Sequence, residues 1–320
     1  AASAQFQARW IVDQDTLACA HQRWLHPDTA ATRVCEEDVR DFLRKCREGR
    51  SGYPRRGTVR HLTASPPCQG FSQCNTTGSW QMKTANNKLS YTFPEAVELL
   101  RPATASMENV SGMFHPKNLN FLKVIVRRLV VDAGYSVRVC MLDSAYYGDA
   151  QRRKRLWLLA AREGTSLPRA PPPTHAPPSA PRRDGLRPFR TAADAIADLE
   201  DVPAETGGGL ALLGEREVYN HRTSRECPLD RRRGPRRTYD GRILDPSRPS
   251  NTILTGNKLH HYHLERTLTV REKARLMSFP DNFQFFGSLV DQHRLLGNAV
   301  SVGMATAVAK CVVEVHRTVR

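Results

Sequence analysis

Short apolar runs alternate with helical patterns through the first half of the sequence. Four such runs are candidate strands, at residues 10–12, 61–64, 105–107 and 156–161. In the segment 121–133, apolar residues recur at helical spacing and stop before Gly134, which predicts an amphipathic helix. This alternation predicts an α/β fold in which helices cover a largely parallel sheet. Ligand sites in such sheets lie in the loops beyond the strands' carboxyl ends, where the most unusual peptides of this chain are found.

The composition changes abruptly between residues 167 and 188, where eight of 22 residues are proline. Proline fixes the backbone and lacks an N–H donor, so this segment is predicted to be a stiff, extended connection. A short helical pattern follows at 191–199, and three glycines stand at 207–209. Beyond them lies a basic loop that contains Arg231, Arg232, Arg233, Arg236 and Arg237. Order is predicted to return at 248–255, and a helical run over 300–319 closes the chain.

Charge is the unusual feature of the composition. The sequence has 48 Lys and Arg residues against 32 Asp and Glu residues, a formal net charge of +16. Nucleic acid is the commonest acidic partner for such a balance. Only nine of the basic residues are lysine, however, so the arginine excess could equally reflect a GC-rich genome. Charge alone leaves these two interpretations open.

The remaining composition is that of an ordinary globular protein, 40% hydrophobic and 25% charged. Its 320 residues suffice for one large α/β domain, with or without a small satellite. The sequence has no run of about 18 apolar residues and no charged-then-apolar leader, which disfavours membrane and secreted proteins.

The eight cysteines are scattered and form no Cys-x-x-Cys pair, which favours neither a zinc module nor a disulfide framework. The sequence His260-His261-Tyr262-His263 has no carboxylate or cysteine pair at ligand spacing. We therefore predict no metal site, and we expect a reducing, intracellular environment.

Cys68 stands in the peptide Ser65-Pro66-Pro67-Cys68-Gln69-Gly70-Phe71-Ser72, directly after the predicted strand at 61–64. A cysteine in a loop defined by proline and glycine is exposed and rigidly placed, and a nucleophile needs both properties. The alternative is a small buried hydrophobic residue, the role of most isolated cysteines. The flanking Pro-Pro and Gln-Gly dipeptides supply no apolar face and argue against burial.

Two further peptides carry candidate chemistry. Glu108 follows the predicted strand at 105–107, where its carboxylate could act as an acid or base, or could cap the next helix. Gln151, Arg153 and Arg155 alternate before the strand at 156–161, so in an extended segment they share one face. That face would direct an amide and two guanidinium groups toward a phosphate or a base carbonyl, although a solvated basic turn has the same pattern.

The order and spacing of these three peptides resemble the DNA (cytosine-5)-methyltransferase family. Later peptides extend the resemblance over nearly the whole chain, at residues 145–151, 172–175, 192–199, 269–281 and 297–300. The resemblance implies a Rossmann-like S-adenosylmethionine-dependent methyltransferase sheet with a small, reduced target-recognition domain. It implies a catalytic and cofactor domain over residues 1–166, a proline-rich exit and target-recognition region over 167–290, and a helix over 291–320 that returns to the catalytic domain.

The resemblance also implies how the site residues act. Cys68 would add to C6 of a flipped cytosine, Glu108 would bind N3 and the exocyclic amine, and Arg155 with Arg153 would hold O2. S-adenosylmethionine would be the cofactor, with no metal. Its implied binding residues are Asp13, Asp38, Val39, Pro67, Leu89, Asn298 and Val300. DNA is the implied partner, contacted by Gln69, Ser72, Gln151 (also a scaffold for its segment), Arg231, Arg232, Arg233, Arg236 and Arg237.

Three departures from the family pattern shape these expectations. No glycine-rich peptide precedes Asp13, and we expect that the sequence starts just downstream of it, the alternative being that the protein lacks it. The recognition segment is short and rich in arginine, so other domains or proteins could supply specificity. Leu295 and Ser301 replace the family's usual Gln and Pro, which we interpret as tolerated packing changes.

Two other functions are compatible with the sequence. A catalytically impaired regulatory or DNA-binding paralogue would explain the absent glycine-rich peptide. A tRNA cytosine-5 methyltransferase is less favoured because that branch carries a Cys-Phe-Thr peptide, which does not occur here. The expected location is the nucleus in a eukaryote and the cytoplasm otherwise.

Overall fold

The computed structural model describes residues 6–27, 31–68, 71, 87–179, 185–201, 211–213, 216–218, 242–256 and 259–317. The chain divides into two compact units. The first comprises Ala1–Leu142, Lys154–Pro171 and Val308–Arg320, and the second comprises Asp143–Arg153 and Pro172–Ala307. The domain boundaries expected at 166/167 and 290/291 concern functional roles and stay a prediction.

The secondary structure alternates strands and helices, as the sequence pattern predicts. The strands are β1 (Trp10–Asp13), β2 (Arg33–Glu36), β3 (His61–Ala64), β4 (Thr104–Val110), β5 (Tyr135–Asp143), β6 (Lys154–Arg162), β7 (His175–Ala176), β8 (Arg187–Pro188), β9 (Ala211–Leu213), β10 (Arg216–Val218), β11 (Arg242–Ile243) and β12 (Leu259–His260). The α-helices are α1 (Thr16–Leu25), α2 (Val39–Arg47), α3 (Thr92–Leu100), α4 (Leu119–Arg127), α5 (Ala192–Ile196), α6 (Val270–Leu276), α7 (Leu289–Asn298) and α8 (Val302–Arg317).

The first unit contains a four-stranded sheet in the order β3-β4-β6-β5 and a separate pair, β1-β2. The β1-β2 and β3-β4 pairs are parallel, but β6 is antiparallel to β4, so the sheet is mixed where the sequence predicted a largely parallel one. The α/β prediction is confirmed. All four predicted strands are present, and β3 has the predicted bounds.

Glu108 lies within β4 and does not follow it, which corrects the expectation from sequence. The reason is that β6 continues to pair with β4 beyond residue 107, aligning Glu108 with Trp157 and Val110 with Arg155. Six of the seven residues of β4 are buried, and side chains of a strand point alternately to opposite faces. Ala105 and Met107 therefore enter the main apolar core.

The opposite face of β3 and β4 is polar and hydrogen-bonded. The His61 ring contacts Thr104 Oγ1 at 2.9 Å and Ser106 Oγ at 3.1 Å, and Ser106 Oγ donates to Thr63 Oγ1 at 3.1 Å. His316 of α8 reaches Thr104 Oγ1 at 2.8 Å. Burial lowers the pKa of His61 to about 4, so this ring is neutral at pH 7.

Helix α4 ends in a π-helical turn, Arg128–Asp132, where the sequence predicted one continuous helix over 121–133. The hydrogen bond from Ala133 N to Arg128 O, at 2.9 Å, is one residue wider than in an α-helix. Val130 lies within this turn and is 45% exposed, although its spacing placed it on the apolar face.

In the second unit, polar residues fix the starts of the helices that surround its apolar core. Reciprocal capping boxes begin α5 (Thr191 with Asp194), α6 (Thr269 with Glu272) and α7 (Ser288 with Asp291). The helical pattern at 191–199 divides into α5 and a 3₁₀ turn, Ala197–Leu199. The helical run at 300–319 corresponds to α8, whereas the single helix implied over 291–320 is divided into α7 and α8, with Ala299 extended between them.

The described part of the proline-rich segment has no helix, as predicted, and contributes only the two-residue strands β7 and β8. Among the described residues, no single helix is both long and apolar enough to cross a membrane, although the bent pair α7–α8 would pass on length and composition alone.

Candidate functional site

The parallel pairing of β3 and β4 brings the loop that carries Cys68 next to Glu108, beyond the carboxyl end of β3. Ala64 aligns with Met107, so the next residue of each chain segment, Ser65 and Glu108, also lie side by side. Asn109 Nδ2 donates to Pro66 O at 3.2 Å and ties the loop after β3 to the end of β4. The loop that carries Cys68 is therefore anchored to the strand that carries Glu108.

Glu108 is nearly buried, and each of its carboxylate oxygens has a partner. Arg155 Nε lies 3.0 Å from Oε1, and Ser65 Oγ donates to Oε2 at 3.0 Å. Only 11% of the Glu108 side chain and 11% of the Arg155 side chain are exposed. A buried carboxylate is costly unless it is paired and hydrogen-bonded, so these two contacts explain how the charge is held here.

Arg155 retains hydrogen-bonding capacity after this pairing. Its Nη1 donates to Lys154 O at 2.8 Å, while its Nη2 has no hydrogen-bond partner among the described residues. The guanidinium group therefore combines a fixed position with an available donor, which is the requirement for binding a carbonyl oxygen or a phosphate.

Cys68 is half-buried at the end of the rigid Pro66-Pro67 segment. The backbone beyond it is held by a 3.0 Å hydrogen bond from Phe71 N to Cys68 O. Phe71 is 1% exposed and packs edge-on against Phe121 with ring centroids 5.3 Å apart, so it anchors the far side of the loop in the core.

The other described cysteines are poor candidates for a nucleophile. Burial raises the pKa of five thiols, that of Cys46 to about 11, and so disfavours their reactive thiolate form. The five are Cys19, Cys35, Cys46, Cys140 and Cys311.

In the second unit, Gln151 and Arg153 bind the backbone of one residue, Ile253. Gln151 Oε1 accepts from Ile253 N at 2.7 Å, and Arg153 Nη1 donates to Ile253 O at 2.9 Å. Arg153 Nη2 also donates to Gly297 O at 2.9 Å and Ala299 O at 2.8 Å. Gln151 is fully buried and Arg153 is 2% exposed, so in this arrangement both side chains hold protein loops together.

We expect Arg153→Met to lower the free energy of unfolding by about 3 kcal/mol or more, because three carbonyl oxygens in buried or partly buried hydrogen bonds would lose their donor. Urea denaturation followed by circular dichroism measures the change. Arg152→Met is the matched control, since Arg152 has a side chain 49% exposed and pairs with Asp143 at 2.7 Å. The control should cost about 1 kcal/mol or less. Equal stability of the two variants would contradict a structural role for Arg153.

Two carboxylates stand at the carboxyl ends of the parallel strands β1 and β2. Asp13 ends β1 and is exposed, with Oδ1 accepting from Asp15 N at 2.9 Å. Its Oδ2 has no partner in the described part of the chain. Asp38 caps α2, and hydrogen bonds from the Arg40 side chain lower its pKa and keep it ionised. These positions fit a nucleoside, because carboxylates accept from ribose hydroxyls and from an adenine amine.

The remaining cofactor candidates belong to several elements of both units. Val39 and Leu89 are half-buried at the start of α2 and of the 3₁₀ turn Leu89–Tyr91, and Pro67 is half-buried in the Cys68 loop. In the second unit, Asn298 is exposed at the end of α7, and Val300 is half-buried between α7 and α8.

Seven predicted DNA-contact residues lie outside the described residues. They are Gln69, Ser72, Arg231, Arg232, Arg233, Arg236 and Arg237. Among the residues that are described, no group of three His, Cys, Asp or Glu side chains is placed to hold a metal ion. Within the histidine-rich peptide, His261 is fully buried, and its Nδ1 accepts from His263 N at 3.1 Å and Leu264 N at 3.2 Å.

The sequence assigned no role to Ser65 or Asn109, although both lie in the peptides that it singled out. The position of Ser65 in the sequence could have identified it, because Ser65 continues the alternation of His61 and Thr63 on one face of β3. A polar residue at that place in a parallel pair faces the equivalent position of the neighbouring strand, which here is Glu108.

Comparison with known proteins relates the whole chain to one family. The profile of the family described as "C-5 cytosine-specific DNA methylase" matches residues 3–314. The type II methyltransferase M1.HphI of Haemophilus parahaemolyticus is 30% identical over 271 residues, which cover 80% of this chain and 68% of that protein. The type II methyltransferase M.XorII of Xanthomonas oryzae pv. oryzae is 28% identical over 358 residues, covering 95% and 79%.

Eukaryotic DNA (cytosine-5)-methyltransferases also match, but the chain spans less than a third of their length. Among solved structures, a prophage-encoded candidate DNA modification methyltransferase from E. coli superposes with a TM-score of 0.70. The superposition covers 99% of this chain and 94% of that protein at 19% sequence identity, so it supports the fold.

Proposed function

Since the chain belongs to the C-5 cytosine-specific DNA methylase family, which uses S-adenosylmethionine, we propose that it methylates C5 of cytosine in DNA through a covalent bond between Cys68 and C6 of the base. The observation that carries this mechanism is the pairing of the Cys68 loop with the Glu108–Arg155 ion pair at the ends of β3 and β4. It joins a nucleophile, a carboxyl group and a cation in one unit.

The reaction requires a nucleophile because C5 of cytosine is too weakly nucleophilic to accept a methyl group directly. Addition of the Cys68 thiolate to C6 breaks the aromatic system and moves an electron pair onto C5. The cofactor, when bound, supplies an electrophilic methyl group. After C5 is methylated, a base, which we take to be water, removes the C5 proton, and the bond between Sγ and C6 breaks to regenerate the thiolate.

Glu108 would stabilise the covalent adduct. Its carboxyl group would accept a hydrogen bond from the 4-amino group and share a proton with N3, where negative charge develops when the thiolate adds. For this step Glu108 would carry one proton, taken up from solvent; the carboxyl group then has one O–H donor and about three lone-pair sites, two of which Arg155 and Ser65 occupy. The O–H would donate to N3, and the remaining site would accept from the 4-amino group.

Arg155 would hold cytosine O2 through its available Nη2 while its Nε keeps Glu108 in place. We assign Gln151 and Arg153 a positioning role instead, because their polar atoms bind the protein backbone. Within the first unit, Asp13 and Asp38 would accept from the ribose and adenine of the cofactor, with Val39, Leu89 and Pro67 completing their surroundings. Asn298 and Val300, in the second unit, stay a prediction from the sequence.

The base must leave the DNA duplex for this chemistry, because a thiol cannot reach C6 of a stacked and paired cytosine. The basic loop with Arg231, Arg232, Arg233, Arg236 and Arg237 would bind phosphates and supply affinity without sequence specificity. Other domains or proteins could then supply the specificity.

The test is a covalent trap. DNA with 5-fluorocytosine in place of cytosine should form an adduct with the protein that resists denaturation when S-adenosylmethionine is present. Fluorine at C5 cannot leave as a proton, so the final elimination is blocked. Mass spectrometry of the digested adduct should place the nucleotide on the peptide that contains Cys68.

An adduct on another residue would contradict the assignment of Cys68. If methyl transfer and adduct are both absent while DNA and cofactor still bind, the chain would be a catalytically impaired paralogue instead.

A further inference from the structure

The hydroxyl group of Ser65 contacts Glu108, and the roles proposed above for Cys68, Glu108 and Arg155 do not explain this contact. Its hydroxyl donates to Glu108 Oε2 at 3.0 Å across 43 residues of sequence. The contact follows from the register of β3 and β4, since Ala64 aligns with Met107 and both chains continue in parallel for one more residue. Ser65 is exposed and the Glu108 side chain is 11% exposed, so the bond lies at the rim of the candidate site.

Ser65 and Arg155 together restrict the Glu108 side chain more than either could alone. Arg155 holds Oε1 and leaves the carboxylate able to rotate about its terminal bond, because one contact does not fix a plane. A second contact at Oε2 removes that freedom. The orientation of a carboxylate plane matters when it must meet two atoms of a base edge at once.

Ser65 also connects Glu108 to the nucleophile. It stands three residues before Cys68, and the two residues between them are prolines, whose φ torsions are fixed by the ring. A hydrogen bond from Ser65 to Glu108 therefore sets the acid relative to the loop that carries the thiol. The bond from Asn109 Nδ2 to Pro66 O supports the same alignment from the other strand.

We propose that Ser65 is a positioning residue, whose hydroxyl orients the Glu108 carboxyl group toward N3 and the 4-amino group of the target cytosine. This inference rests on the proposed function. In this role Ser65 acts through Glu108, the residue that its hydroxyl contacts.

The test compares two trapping bases in otherwise identical duplexes. One carries 5-fluorocytosine at the target position, and the other carries 5-fluoropyrimidin-2-one, which lacks the 4-amino group. The DNA context comes from bisulfite sequencing of a plasmid methylated by the wild-type protein. Rates of adduct formation are measured in single turnover with saturating S-adenosylmethionine for the wild type, Ser65→Ala, Ser65→Thr and Thr63→Ala.

Ser65→Ala is expected to slow trapping of 5-fluorocytosine by about 10- to 100-fold, the usual effect of a hydrogen bond to a charged group. On the base without the amino group, the loss should be at least about fivefold smaller, since one of the two contacts that Ser65 aligns is then missing. Ser65→Thr keeps the hydroxyl and, at an exposed position, should restore the rate to within about threefold.

Thr63→Ala is the matched control, because it removes a hydroxyl from the same face of β3 that contacts Ser106 and not Glu108. It should trap both bases at nearly the wild-type rate. An equal loss by Ser65→Ala on both bases would mean a general structural effect and would overturn the proposal, as would a loss of less than about twofold. If the wild type traps neither base, the proposed function itself fails.

Discussion

Replacing Cys68 with alanine is expected to abolish methyl transfer, with a loss of at least about 10⁴-fold in the single-turnover rate. Without the thiolate no group can break the aromaticity of cytosine, so C5 stays unreactive whatever the position of the other residues. DNA affinity should remain within about threefold of wild type, because Cys68 is one half-buried side chain in a loop anchored by Asn109 and Phe71. Radioactive methyl transfer and a filter-binding titration measure the two quantities.

Cys140→Ala is the appropriate control for that experiment. Cys140 is the other half-buried cysteine of the described chain, and it lies in β5. Burial raises the pKa of its thiol, so its removal should change the rate less than about twofold. Methyl transfer that persists in Cys68→Ala would refute the covalent mechanism.

Glu108→Gln is expected to lower the single-turnover rate by about 10²- to 10⁴-fold, the usual contribution of a positioned acid or base. The amide has the same shape and can still form hydrogen bonds to the base edge, but it cannot share a proton with N3 as negative charge develops there. The substitution also leaves Arg155 without its anionic partner. Quenched-flow measurement of product formation at saturating DNA and cofactor separates this loss from weaker binding.

Glu98→Gln is the matched control for Glu108→Gln, because it also removes the carboxylate of an ion pair. Glu98 forms a half-buried ion pair with Arg128 at 2.5 Å in the same unit, with no connection to the Cys68 loop among the described contacts. The rate should stay within about threefold of wild type, and any change should be in stability. A loss comparable to that of Glu108→Gln would show that breaking an ion pair is sufficient and would remove the case for acid catalysis.

The parts of the fold that could be predicted are those whose signal is local. Strand β3 has the predicted bounds because the short run His61–Ala64 ends directly at a proline-rich loop. Strand β5 was not predicted, since six of its nine residues are partly or fully exposed and the polar residues Ser136 and Arg138 interrupt its apolar residues. The π-turn after α4 has no signal in the spacing of apolar residues, because it differs from an α-helix in its backbone hydrogen bonds, as in the bond from Ala133 N to Arg128 O.

In the candidate site, too, local features could be predicted from the sequence and features that depend on the tertiary structure could not. Cys68 and Glu108 stand in short peptides whose residue types made them candidates for catalysis. The bond between Ser65 and Glu108 depends on the register of two strands 43 residues apart. The partners of Arg153 are 100 to 146 residues away, and the same three letters Gln-x-Arg would read identically on a solvated turn. Only the tertiary structure distinguishes these two environments.

The long reach of Arg153 has a consequence for biosynthesis. Its last carbonyl partner, Ala299, is translated 146 residues after it, which takes roughly 7 to 30 seconds at ordinary rates of elongation. During that interval the guanidinium group must remain hydrated, so the second unit cannot close around it. We expect this unit to reach its native state only after nearly all of the chain has left the ribosome, however early its individual helices form.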